Sequence, residues 1–188
     1  SRWWLHARPA PDLREAINGL ARYIATPRVS KHRLFVYLDS HVLPDGQLVV
    51  IAKDDDYVLG VLQSTFHELW ARAMGTQVRE AESGFRYTPT TTFETFPFPW
   101  PPGHEPESDP RTTAIIDAAS ELAVSRSRWL NPEGSTDVDL SGRTLTALYN
   151  QRPTWLELAH GRLDEAVSNA YGWPNALRDE EVLERLLT

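Results

Sequence analysis

Six of the chain's fourteen prolines stand between positions 97 and 110, at 97, 99, 101, 102, 106 and 110. A proline ring fixes φ and removes a backbone donor, so neither a helix interior nor a central strand runs through such a stretch. The segment is predicted to be an extended linker separating two kinds of sequence. Ahead of it, Leu34-Phe35-Val36-Tyr37-Leu38 and Gln47-Leu48-Val49-Val50-Ile51-Ala52 flank a turn at Pro44-Asp45-Gly46 and predict a buried antiparallel hairpin. A short helix is expected from Pro11 to Leu20, and Tyr23-Ile24-Ala25 leads into an extended Thr26-Pro27. Val58, Leu62, Phe66, Leu69 and Ala73 predict one helix over 56–74, with Gly75 at its C′ position. Residues 75–92 read as a polar, irregular connection.

Behind the prolines every periodic segment is helical. Ile115, Ile116, Ala119, Leu122, Ala123 and Trp129/Leu130 form one stripe, and a polar break follows at 131–142. Leu145, Leu148 and Tyr149 mark a short helix. Trp155, Leu158/Ala159, Leu163, Ala166/Val167 and Ala170 form a longer one, and Asp179 is expected to cap the last. The expected fold class is α+β: a small, mainly antiparallel sheet with packed helices, followed by an all-helical C-terminal region. The expected divisions are 1–100, a linker at 101–111, and 112–188.

The net charge of −7 is unevenly spread. Residues 1–33 carry seven Lys/Arg against Asp12 and Glu15, residues 34–103 carry four basic against nine acidic residues, and residues 104–188 carry eight against fifteen. A basic N-terminal stretch on an acidic body permits one polyanion-facing surface. Its cations are mostly Arg, which forks onto phosphates or guanine edges as well as supplying charge. The absence of Cys excludes disulfides, thiolate metal sites and thiol nucleophiles. It also accords with a reducing, cytoplasmic setting. No apolar run approaches the about 20 residues of a membrane span, so no membrane partner is expected. Ser1-Arg2-Trp3-Trp4 shows neither a start Met nor a signal pattern, which predicts a piece of a longer protein.

Catalytic patterns are largely missing. The six His form no HxH, HxxxH or HExxH, and His67-Glu68 lacks a second His at metal-ligand spacing. There is no Gly-rich phosphate loop and no Gly-x-Ser-x-Gly elbow. Asp54-Asp55-Asp56 has the donors for a hard cation, but acids directly ahead of a helix stripe read first as capping groups. Trp70, Trp129 and Trp155 fall on helical stripes and read as packing residues.

Several phrases together resemble a known family. They are Pro27-Arg28-Val29-Ser30-Lys31-His32-Arg33, Val42-Leu43-Pro44-Asp45, Asp54 through Trp70, and Arg86-Tyr87-Thr88-Pro89 through Phe96-Pro97-Phe98-Pro99. Leu145-Thr146-Ala147-Leu148-Tyr149-Asn150-Gln151-Arg152-Pro153 and Ala170-Tyr171-Gly172-Trp173-Pro174 continue the match. They resemble the C-terminal, target-recognition part of large bacterial DNA methyltransferases of the MmeI-like, restriction–modification type. The resemblance implies a DNA sequence-recognition module of an adenine-N6 methyltransferase, with double-stranded DNA and the methyltransferase domain of the same polypeptide as partners. It also implies that S-adenosylmethionine and the catalytic Asn-Pro-Pro-Tyr lie elsewhere. The one Asn-Pro here continues as Glu133-Gly134 and reads as a turn, so no catalytic or cofactor-binding residue is assigned.

On this reading Arg28, Ser30, Lys31 and Arg33 are phosphate anchors. Gln77, Arg79, Glu80, Glu82, Arg86, Tyr87 and Thr88 are candidates for reading base edges. Arg79 and Glu80 suit the two partners of a G·C pair, Arg donating to guanine and Glu accepting from cytosine. The stretch from Gln77 to Phe85 departs from the Gly-rich one that precedes Arg-Tyr-Thr-Pro in the family. A second class of function stays open: a helical module that docks a nuclease or helicase partner without reading bases.

Overall fold

The structure, a computed structural model, describes residues 11–77, 85–174 and 176–188. A first helix, α1 (Pro11–Ile17), precedes β1 (Arg22–Pro27), β2 (Val29–Ser30), β3 (Val36–Asp39) and β4 (Leu48–Ile51). The two predicted strands do form, but they do not pair with each other. β1 lies between them, antiparallel to both, in the order β3-β1-β4. The expected hairpin is therefore corrected to an edge pair around a central strand. Tyr23, Ile24, Ala25 and Thr26 are all fully buried, so this short segment is the one that both edges cover. Residues 40–47 are long enough to cross its width of roughly 10 Å. Pro27, which lacks a donor, sits at the end of β1, where the ladder stops.

The predicted 56–74 helix is two helices, α2 (Asp56–Gln63) and α3 (Thr65–Met74), broken at Ser64. Ser64 is extended (ψ 157°), and its Oγ accepts from the His67 N–H, so it ends one helix and caps the next. The aspartates act as helix-start residues: the Asp55 carboxylate caps Val58 N–H at 2.8 Å, while Asp56 accepts from Tyr37 Oη and Arg22. Beyond α3, the stretch expected to be irregular holds β5 (Thr76–Gln77), β6 (Phe85–Arg86) and the short α4 (Pro89–Thr92).

The helical half comprises α5 (Pro110–Leu130), α6 (Asp137–Leu140), α7 (Leu145–Gln151), α8 (Thr154–Tyr171) and α9 (Asp179–Leu186). α9 is capped one residue earlier than expected: Arg178 is the N-cap, and its N–H donates to Glu181 Oε2 at 2.8 Å. The Pro-rich segment between the halves is tied down at both ends of its aromatic part. Tyr171 Oη donates to Pro97 O (2.7 Å), and Tyr57 Oη donates to Trp100 O (2.8 Å) while accepting from Trp100 N–H (3.0 Å). Phe98 and Trp100, interleaved with the prolines, bury against the core, which is why the segment packs instead of swinging as a tether. One hydrophobic cluster includes Ile24 and Phe35, the inner faces of α2 and α3, and Ile115, Leu122, Leu156 and Leu163. α2 meets α5 so closely at Gly60 that a Cβ there would lie 2.8 Å from Ile115 Cγ2.

Candidate nucleic-acid interface

The run around Arg28–Arg33 and the stretch that includes residues 77–88 are distant in sequence but join in one small sheet. β2 pairs antiparallel with β6 (Val29↔Arg86, Ser30↔Phe85), and β6 pairs antiparallel with β5 (Thr76↔Arg86, Gln77↔Phe85). Side chains alternate across a strand, so the facing pair Val29 and Arg86 shares one face, and both are exposed. Phe85, on the other face, is buried. Residues 78–84 connect β5 to β6; Arg79, Glu80 and Glu82 thus lie outside the described residues, as does the side chain of Gln77.

Gly75 sets how closely α3 approaches this sheet. A Cβ there would meet Ala71 O at 2.5 Å and Arg86 O at 3.0 Å. Its φ of −79° shows that the glycine answers a close approach and not a left-handed turn.

Of the expected phosphate anchors, Lys31 is exposed, and Arg28 is half-buried with Nε donating to Gly46 O at 2.7 Å. The Ser30 hydroxyl donates within its own turn, to His32 O. Arg33 requires correction. It is 3% exposed, and its guanidinium donates to Thr26 Oγ1 (3.0 Å), Pro27 O and Phe85 O (3.0 Å) beside the Phe85 and Tyr87 rings. A cation so enclosed does not reach a phosphate; it fastens the β1–β2 corner to β6. Burial lowers its pKa to about 10, still charged at neutral pH.

Tyr87 is corrected in the same way. It is fully buried, and its hydroxyl pairs with His67 Nε2 at 2.8 Å, so it carries the scaffold and reads no base. Burial holds His67 neutral, with a pKa lowered to about 3, and the nearby Arg33 charge adds to the effect. Thr88 is half-buried at the N-cap of α4, where its carbonyl accepts from Thr92 N–H and Oγ1. Among the described base-reading candidates Arg86 alone presents an exposed side chain.

Sequence spacing missed Arg72. It sits on the exposed side of α3, 5.2 Å over the Phe85 ring and paired with Glu68, adding a cation beside the small sheet. Nothing in its helical periodicity links it to β6; only the fold does. Two joins between the halves were equally hidden. Asp164 on α8 accepts from Thr65 N–H and Oγ1, both at 2.7 Å, capping α3 from across the molecule. Arg126 on α5 donates to Gln63 Oε1 and Phe35 O.

Among the described residues no group of three or more His, Asp or Glu could hold a metal ion. No described helix is long and apolar enough to cross a membrane. Asn131 ends α5, its Nδ2 donating back to Ser127 O, so the one Asn-Pro pair forms a helix end.

Residues 13–100 match the target recognition domain family of MmeI. The chain is 31% identical over 170 residues to DNA methyltransferase A of Bacillus subtilis (strain 168), a match that covers 87% of this chain and 17% of that protein. Its fold is similar to that of the Type IIL restriction–modification enzyme MmeI, solved in complex with DNA. The TM-score is 0.69 at 26% identity, over 89% of this chain and 21% of the other. The chain thus spans about one fifth of the length of these relatives.

Proposed function

We propose that the chain, whose residues 13–100 match the target recognition domain family of MmeI, is the DNA sequence-recognition module of an adenine-N6 DNA methyltransferase of restriction–modification type. The observation that carries the reading is the pairing of β2 with β6. It brings the Arg28–Lys31 cations beside exposed Arg86. Phosphate contacts by Arg28 and Lys31 fix register on the duplex, and side chains of the 77–86 hairpin discriminate bases. Arg33, His67 and Tyr87 hold β6 in place from within. The methyl group of S-adenosylmethionine and the catalytic residues belong to the remainder of a longer polypeptide, acting on cytoplasmic DNA.

The test is binding of this chain to labelled duplex DNA across a salt series. Affinity should fall linearly in log–log form, because each phosphate contact displaces counterions. Arg28→Ala or Lys31→Ala should weaken binding to every sequence alike and lower the slope by about one unit. Salt-independent binding, or none, would favour the protein-docking role. In the complete polypeptide, exchanging Arg79 and Glu80 should change the preferred base at one site position, at about 1–3 kcal/mol. Unchanged methylated sites at normal activity would remove these two residues from base reading.

A further inference from the structure

The segment after β2 crosses to the helical half. Lys31 Nζ donates to Asn150 Oδ1 at 3.0 Å, and His32 Nε2 bonds the same oxygen at 2.9 Å. Two residues on, at the end of α7, Arg152 adopts φ 44°, ψ 62°, the one left-handed non-glycine residue among those described. Helix ends in this conformation normally carry glycine, and a residue ahead of proline is pushed toward extended backbone. Arg152 ends α7 and precedes Pro153, yet it is neither a glycine nor extended. The surroundings impose the conformation: its N–H donates to Leu148 O at 2.8 Å, and Pro153 is the N-cap of α8. Its side chain is 68% exposed, with Nε 3.4 Å from Glu157. A glycine would satisfy the backbone; the arginine adds only a guanidinium held in the open, and strain of this kind gathers at functional positions.

We infer that His32 and Arg152 extend the Lys31 phosphate contact onto the helical half, so that both halves grip the DNA backbone there, aligned by Asn150. The inference rests on the proposed function. Asn150 supplies an acceptor without a charge, so it orients two donors and leaves the Lys31 charge for a phosphate. Glu157 and Asp164 are acids near Arg152, Asp164 being engaged by Thr65, and Glu68, itself paired with Arg72, lines the same cleft. An exposed pair such as Arg152–Glu157 is weak enough for a phosphate to displace it.

Arg152→Gly separates the roles, since it removes the guanidinium and relieves the backbone. Its melting temperature should equal or exceed that of the wild type, while DNA affinity falls for all sequences and the salt slope drops by about one unit. Asn150→Asp should likewise keep the fold, by tightening its hold on Lys31 and His32, and weaken DNA binding through the added charge. Wild-type affinity and slope in Arg152→Gly, with Arg28→Ala still impaired, would overturn the inference and leave the proposed function standing. Binding lost only in step with melting temperature would also overturn it. If the wild-type chain binds no duplex at any salt concentration, both readings fall.

Discussion

Replacing Arg33 with Ala separates an arginine that supports the interface from one that touches DNA. The guanidinium serves three acceptors, of which Thr26 Oγ1 and Phe85 O lie in the buried interior. Each buried acceptor left without its donor costs about 1–3 kcal/mol. Relief from burying a charge returns part of that, since enclosing an ion carries a desolvation penalty of several kcal/mol before its partners compensate. A net destabilisation of about 3 kcal/mol follows. For a domain of this size that lowers Tm by roughly 6–12 °C. Thermal unfolding followed by circular dichroism measures it, and the same protein titrated with duplex DNA supplies the second readout. At temperatures where the variant is folded, the salt slope should match that of the wild type, because no phosphate contact has been removed. A variant that melts within about 1 °C of the wild type while its slope drops by one unit would refute the interior role.

Two further outcomes are expected. His67 and His160 have pKa values lowered to about 3 and about 4, chiefly by burial, with arginine charges adding to it. The unfolded chain takes up protons below about 6.5 that the native state refuses, so stability should fall as pH drops from 6.5 toward 4, by up to about 1.4 kcal/mol per unit for each histidine. Asp164, raised by burial, contributes with the opposite sign and offsets part of this fall. Urea midpoints that stay flat across that window would contradict neutral buried histidines. Gly60→Ala places a Cβ 2.8 Å from Ile115 Cγ2 and 3.0 Å from Ala119 Cβ; overpacking of about 1–3 kcal/mol should outweigh the about 1 kcal/mol gained in helix propensity. Gly161→Ala on α8, with nothing within 4 Å, should stabilise by about 0.5–1 kcal/mol. Equal effects from the two would show that α2 and α5 are not in close contact.

Local chemistry along the chain was enough to define α5, α7, α8 and α9, though not α6 in the expected polar break, together with the capping role of the aspartates, the α+β class and the motifs shared with target recognition domains. Each of these depends on neighbours within one or two turns or on a fixed phrase. The tertiary structure decided which strand is central, where the long helix breaks, and on which side of the surface each cation lies. Lys31 and Arg33 are two residues apart in the same basic run, yet one is exposed and the other enclosed. What separates them is Phe85 O, 52 residues away, which gives Arg33 a buried partner. Charge and spacing fix how a side chain can bond. Whether it faces solvent depends on acceptors brought up by distant segments, and those positions exist only once the chain has packed.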